Sequence, residues 1–128
     1  MRRNGRQILV VDDEENIALL IKMRLSYIPD SEIHTVTSAH AALAMLQHQA
    51  VDLLITDFSM PDMNGLDLVA KAKKAQPDLP VLMVTGVTKP ELRRQAATAR
   101  IQRVFTKPIP FRQFCEQVEA ILQREGTF

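Results

Sequence analysis

At 128 residues, with 46% hydrophobic and 24% charged positions, the chain fits one domain with a single core, and no Pro-, Gly- or Ser-rich linker divides it. The net charge of +1 and pI near 7.9 exclude a general drive toward nucleic acid or membrane, and the single cysteine, Cys115, excludes an internal disulfide and a cysteine zinc site. The apolar runs are too short to cross a bilayer, and Met1-Arg2-Arg3 leads into polar Asn4-Gly5-Arg6 rather than a signal segment, so a soluble, cytoplasmic protein is expected.

The first element is an apolar, β-branched strand, Gln7 to Val11, which stops at four acids in a row, Asp12-Asp13-Glu14-Glu15. Ile17, Leu20, Ile21, Leu25 and Ile28 then recur at helical spacing, predicting an amphipathic helix that Asp13 could cap and that ends before Pro29. A weakly alternating strand, Ile33 to Thr37, precedes an alanine-rich helix from about Ala39 to Gln49 with Ala42, Leu43 and Leu46 inward. Val51 to Ile55, broken only by Asp52, reads as a strand buried on both faces, and it gives way at Asp57 to a loop containing Pro61, Asn64 and Gly65. A helix from about Leu66 to Ala75 buries Leu68, Val69 and Ala72 and exposes Lys71, Lys73 and Lys74. Val81 to Val84 is another buried strand, ending at Thr85-Gly86. The helix from about Pro90 to Ala99 offers only Leu92, Ala96 and Ala97 to a core, and at about 25 cal/mol per Å2 so small a face anchors it weakly, so it is expected to be mobile. Arg103 to Thr106 is a short strand before Lys107-Pro108, and Phe111, Phe114, Cys115, Val118, Ile121 and Leu122 form the stripe of a last helix, with Cys115 in the core. Five strands alternating with five helices imply a parallel sheet covered on both sides.

Four of these strands end in a functional group at one edge: Asp12 and Asp13, Asp57, Thr85, and Lys107. Open α/β sheets hold ligands at that edge, because helices cover both faces. An Asp before a Pro-containing loop can also be a simple turn cap, but a turn cap does not account for the other three groups. Three converging carboxylates repel, and a hard divalent cation relieves the repulsion; magnesium suits oxygen ligands, whereas zinc would want histidine or thiolate. Such a cation with Lys107 would make a positive pocket around Asp57, suited to attack by that carboxylate on phosphorus. Thr85 could donate a hydrogen bond to a phosphoryl oxygen, and the flanking Gly86 leaves room for it to move.

At these residues the chain resembles the receiver domain of bacterial two-component response regulators, over about residues 6 to 124. The acid pair stands in Ile8-Leu9-Val10-Val11-Asp12-Asp13-Glu14-Glu15-Asn16, and the phosphoacceptor motif in Asp57-Phe58-Ser59-Met60-Pro61-Asp62-Met63-Asn64-Gly65. Thr85 and Lys107-Pro108 complete the set. The resemblance implies a flavodoxin-like (CheY-like) doubly wound five-stranded parallel sheet in the order 2-1-3-4-5 with five helices, short flexible termini at 1–5 and 125–128, and a cis Lys107-Pro108 bond. It implies that Asp57 accepts a phosphoryl group from a sensor histidine kinase or phosphotransfer protein. Magnesium would be held by Asp13, Asp57 and the Ser59 backbone carbonyl, with Asp12 acting largely through water, while Lys107 pairs with the phosphate. The family's aromatic switch position is Val104 here, so the usual reporter is absent; Phe105 should point to the opposite face, into the core.

Ser59 and Val87 lie where family members tune the access of water, or are simply loop residues, and His34, His40 and His48 are expected at the surface away from the site. Lys89, Arg93, Arg94, Arg100, Arg103 and Arg112 concentrate positive charge around the fourth helix. That face is either a solvated helix surface or, around Arg93, Arg94 and Arg103, a docking surface for an acidic partner or a second copy. No recognition helix remains for direct DNA binding. Two other functions stand beside the phosphoacceptor: a phosphorylation-independent pseudo-receiver, favoured by Val104 but not by the intact acids, and a small flavin-binding protein, disfavoured by the absence of tryptophan and of a clear phosphate loop. The domain starts close to Met1, which suits a stand-alone protein or an amino-terminal domain better than the tail of a hybrid kinase.

Overall fold

The computed structural model describes residues 5–126; residues 1–4 and 127–128, within the termini expected to be flexible, lie outside the described residues. The elements run β1 (Arg6–Val11), α1 (Glu15–Leu25), β2 (Ser31–Val36), α2 (Ala39–His48), β3 (Leu53–Asp57), α3 (Gly65–Ala75), β4 (Val81–Thr85), α4 (Pro90–Thr98), β5 (Arg103–Thr106) and α5 (Phe111–Gly126). The strands form one parallel sheet in the order β2-β1-β3-β4-β5, as expected. β1, β3 and β4 read as continuous apolar runs because neither of their faces meets water.

Side chains alternate along each strand and so divide the core into two layers. Ile8, Val10, Leu53, Ile55, Leu82, Val84 and Phe105 pack with Ala18, Ile21 and Leu25 of α1 and Phe114, Val118 and Ile121 of α5. Leu9, Val11, Leu54, Val81 and Met83 face the other way, onto Ala42 and Leu46 of α2, Leu68, Val69 and Ala72 of α3, and Leu92 and Ala96 of α4. Phe105 meets Phe114 edge to face, with ring centroids 5.4 Å apart, so β5 sends this residue into the α1/α5 layer and Val104 to the other side. This is the orientation that strand alternation predicts.

Several local expectations are corrected. α1 stops at Leu25, and Ile28 is buried from the following turn instead. Leu20 is 37% exposed and Ala18 takes the inner position, since Ala18, Ile21 and Leu25 share one face at spacings of three and four. Asp13 does not cap α1: the N-cap is Glu14, which makes no side-chain cap bond. In α4 only Leu92 and Ala96, one turn apart, are buried, while Ala97 is exposed. Cys115 is half-buried, packed against the edge of the core. His34 is not a free surface residue; it is half-buried, and its Nε2 lies 2.8 Å from Gln7 Oε1, which also accepts from Gln49 Nε2 at 2.6 Å. That polar group joins the start of β1 to β2 and the end of α2, at the end of the sheet opposite Asp57.

Candidate functional site

Parallel register places the strand ends side by side. Val11 pairs with Thr56, Asp57 with Val84, and Thr85 with Thr106, so the next residue of each strand emerges at one edge. Asp12 follows β1 directly and has no exposed surface; its backbone N–H still donates to Val36 O at 3.2 Å. Its Oδ1 accepts from Glu14 N at 2.9 Å, which turns the chain into α1 and leaves Oδ2 facing the site. Asp57 closes β3 and is 5% exposed, with Oδ1 accepting from Phe58 N at 2.7 Å. Lys107 follows β5 at a cis peptide bond to Pro108, and its backbone N–H is fixed to Thr85 O at 2.8 Å.

The Lys107 ammonium lies 3.0 Å from Asp12 Oδ2, 3.3 Å from Asp57 Oδ2 and 3.5 Å from Glu14 Oε1. Asp12, Asp13 and Asp57 each offer a carboxylate oxygen within 4.8 Å of the others. Three carboxylates facing one ammonium leave the site negative. The donors are all hard oxygens, a set that fits magnesium and not zinc. A cleft of about 430 Å3 opens above them, lined by Asp13, Glu14, Asp57, Ser59, Gly86, Val87 and Lys107.

Burial raises the pKa of Asp57 above its ordinary 3.8, and the nearby charge of Asp12 adds to the rise, against the smaller opposing pull of Lys107 and the Phe58 N–H. Burial works against the charge on Lys107, but its hydrogen bond and attraction to Asp12, with the attraction to Asp57, outweigh that and raise its pKa. The native state binds a proton at Asp57 more readily than the unfolded chain, so stability falls as pH rises through the raised native pKa and is unaffected below the ordinary carboxylate range. Asp57→Asn in metal-free buffer at neutral pH is accordingly expected to raise the melting temperature, and the gain should vanish in acid. Thermal unfolding of both proteins as a function of pH checks the sign; a destabilised Asp57→Asn protein at neutral pH would contradict it.

Of the residues singled out from the sequence, Asp13, Asp57, Ser59 and Lys107 line the cleft and Asp12 lies beneath it. Thr85 is brought to the same edge but is fully buried, and its hydroxyl accepts from Val87 N at 3.0 Å instead of facing the cleft. Open space stands where a side chain at Gly86 would sit. Glu14 was not singled out as a site residue, although it belongs to the four-acid run that marked the end of β1. Arg93 turns back onto β5, donating to Val104 O at 3.4 Å and Thr106 Oγ1 at 3.3 Å, and the Arg103 guanidinium lies 4.9 Å from the centre of the Phe105 ring.

The family model described as the response regulator receiver domain matches residues 8–119. The chain is 35% identical over 130 residues to the probable transcriptional regulatory protein TcrX of Mycobacterium tuberculosis, covering 99% of this chain and 55% of that protein, so it spans about half of that relative's length. It is 33% identical over 120 residues to the chemotaxis protein CheY of Pseudomonas aeruginosa, covering 92% of this chain and 97% of that one. A CheY-like response regulator receiver domain protein from Methanospirillum hungatei superposes with a TM-score of 0.87 at 28% identity, over 94% of this chain and 96% of that one.

Proposed function

The chain belongs to the receiver domains of two-component response regulators, and on that premise we propose that it accepts a phosphoryl group on Asp57 from a sensor histidine kinase or a phosphotransfer protein. The observation that carries this reading is the clustering of the Asp12, Asp13 and Asp57 carboxylates beside an open cleft, with Lys107 bridging Asp12 and Asp57. Asp57 attacks phosphorus; an O–P bond forms as the donor's N–P bond breaks, and the departing imidazole leaves with the bonding pair. Lys107, already between Asp12 and Asp57, shifts its pairing to a phosphoryl oxygen and so meets the charge of the new acyl phosphate. Magnesium would be held by Asp13, Asp57 and the Ser59 carbonyl, with Asp12 through water, and when bound would neutralise phosphoryl oxygens that Lys107 does not reach.

Thr85 is the group that changes partner. Its hydroxyl, which accepts from Val87 N, turns to donate to a phosphoryl oxygen, and the open space at Gly86 accommodates the movement of the loop. Thr85 pairs with Thr106 across the sheet, and Thr106 receives Arg93, so the change reaches α4 through a hydrogen-bonded arginine rather than an aromatic residue at Val104. The output is a changed face around Arg93, Arg94 and Arg103, presented to a second copy or an acidic partner; such a partner competes with β5 for Arg93. No helix among the described residues is long and apolar enough to cross a membrane.

The bond formed identifies the acceptor. Treatment with phosphoramidate and magnesium, then with borohydride, should reduce the acyl phosphate at residue 57 alone to homoserine, read by peptide mass. Reduction elsewhere would assign a different acceptor, and its absence in protein exposed to a competent kinase would favour the phosphorylation-independent module.

A further inference from the structure

The segment from Phe58 to Asn64 carries Ser59 over the cleft and has no regular structure. It is closed at its base, where Gly65 N donates to Phe58 O at 2.7 Å, and Asn64 caps α3 by accepting from Asp67 N at 2.9 Å. Between these two fastenings, Ser59 to Met63 must be held by something else. Met60 and Met63 lean on the core layer beneath. Among the described residues, the side-chain hydrogen bonds that tie this stretch to another element come from Asp62.

Both oxygens of Asp62 reach the first turn of α2. Oδ1 accepts from Ala39 N at 3.3 Å, Oδ2 accepts from His40 N at 3.0 Å, and His40 Nδ1 lies 2.7 Å from the same Oδ2. With its proton on Nδ1, His40 donates to the carboxylate. The next free donor of that turn, Ala41 N, is taken by Ser38 Oγ at 3.1 Å. Asp62 therefore stands where the unpaired N–H groups and the positive end of the helix favour a carboxylate. The backbone N–H and ring of His40 hold its pKa down to about 2, so the bridge stays ionised at every working pH. The bridge is not an accident of a loose loop: three donors from one neighbouring element converge on one side chain.

We propose that Asp62 is a positioning residue for the phosphoacceptor loop, its bridge to Ala39 and His40 fixing the path of residues 59–63 and hence the placement of the Ser59 carbonyl toward a magnesium ion. This rests on the reading that the cleft binds magnesium and Asp57 takes the phosphoryl group. Asp62 touches neither; it acts through Ser59. The consequence is specific. Loss of the bridge weakens metal binding, while the chemistry at saturating metal is preserved, because Asp57 and Lys107 are anchored in β3 and after β5.

Magnesium titrations by calorimetry, with phosphorylation by phosphoramidate measured across magnesium concentration, separate the possibilities. Asp62→Ala should raise the magnesium dissociation constant about 10-fold, the size found when a group supporting a metal ligand is removed. Its rate at saturating magnesium should stay within about two-fold of the unmodified protein, since nothing at the reacting atoms has changed. Asp62→Asn, which keeps one acceptor oxygen for the helix, should recover part of the affinity, and it serves also if the alanine variant folds poorly. His40→Ala, which leaves both backbone donors, should have a smaller effect than Asp62→Ala. Unchanged magnesium affinity in both Asp62 variants, or a fall in melting temperature with no change in affinity, would overturn the proposal. If the unmodified protein itself neither binds magnesium nor takes the phosphoryl group, the reading of the site fails instead.

Discussion

Replacing Lys107 with alanine should slow phosphorylation of Asp57 by about 10²- to 10³-fold at saturating magnesium, the loss seen when one preorganised charge-stabilising donor is removed. Lys107 is the ammonium that approaches both Asp12 and Asp57, at 3.0 and 3.3 Å, and its backbone is pinned to Thr85 O, so it requires no rearrangement to meet a phosphoryl oxygen. Its pKa is raised by the acids around it, so the charge is present throughout the working pH range. Single-turnover rates with phosphoramidate provide the check. A Lys107→Ala protein that reacts within a few-fold of the unmodified one would mean that the ammonium only balances charge in the resting state. Magnesium binding should survive this change, because the oxygen ligands remain; the fall should appear in the rate and not in the metal dependence.

Gly65→Ala should destabilise the fold by about 1–3 kcal/mol, the range for an overpacked site, and should impair phosphorylation with it. A Cβ at this position would stand 2.3 Å from Asp57 O, 3.0 Å from Phe58 Cα and 3.0 Å from the Met83 side chain. The first two are backbone atoms of Asp57 and its neighbour, and they cannot swing aside as the end of a flexible side chain can. Gly65 N also donates to Phe58 O at 2.7 Å, so α3 begins in direct contact with the end of β3. The glycine serves here by permitting close approach rather than an unusual backbone angle. Chemical denaturation and the rate of adduct formation should both report the change. If Gly65→Ala unfolds at the same denaturant concentration as the unmodified chain and reacts equally fast, the contact between α3 and Asp57 is looser than the geometry implies.

The topology was legible because the strands that build it are buried on both faces and therefore continuous in their apolar residues, and because each ends sharply at a polar group. Asp12, Asp57, Thr85 and Lys107 could be placed together from sequence for that reason: parallel strands bring their carboxyl ends to one edge. Strand alternation alone separated Val104 from Phe105. What could not be read were properties that depend on neighbours distant in the chain. Asp62 is one acid in a turn-rich loop, and nothing local shows that α2 begins beside it. Arg93 looked like part of a basic helix face, but its length lets it fold back onto the carbonyl and hydroxyl of β5. His34 looked like a surface residue until Gln7 and Gln49 closed over it. Leu20 falls at helical spacing with Ile17 and Ile21, yet the buried face of α1 runs through Ala18, Ile21 and Leu25 and leaves Leu20 outside, and in α4 the buried pair Leu92 and Ala96, one turn apart, leaves Ala97 outside.

The proposed function requires that Asp57 take the phosphoryl group and that the acid cluster act with a hard cation. Intact mass after incubation with phosphoramidate, with and without magnesium, tests it most directly when the unmodified chain is compared with Asp57→Ala. One phosphoryl increment, formed with magnesium and absent from Asp57→Ala, is the predicted result. An increment of equal yield on Asp57→Ala, or none on the unmodified chain with magnesium and rapid quenching, would contradict the account.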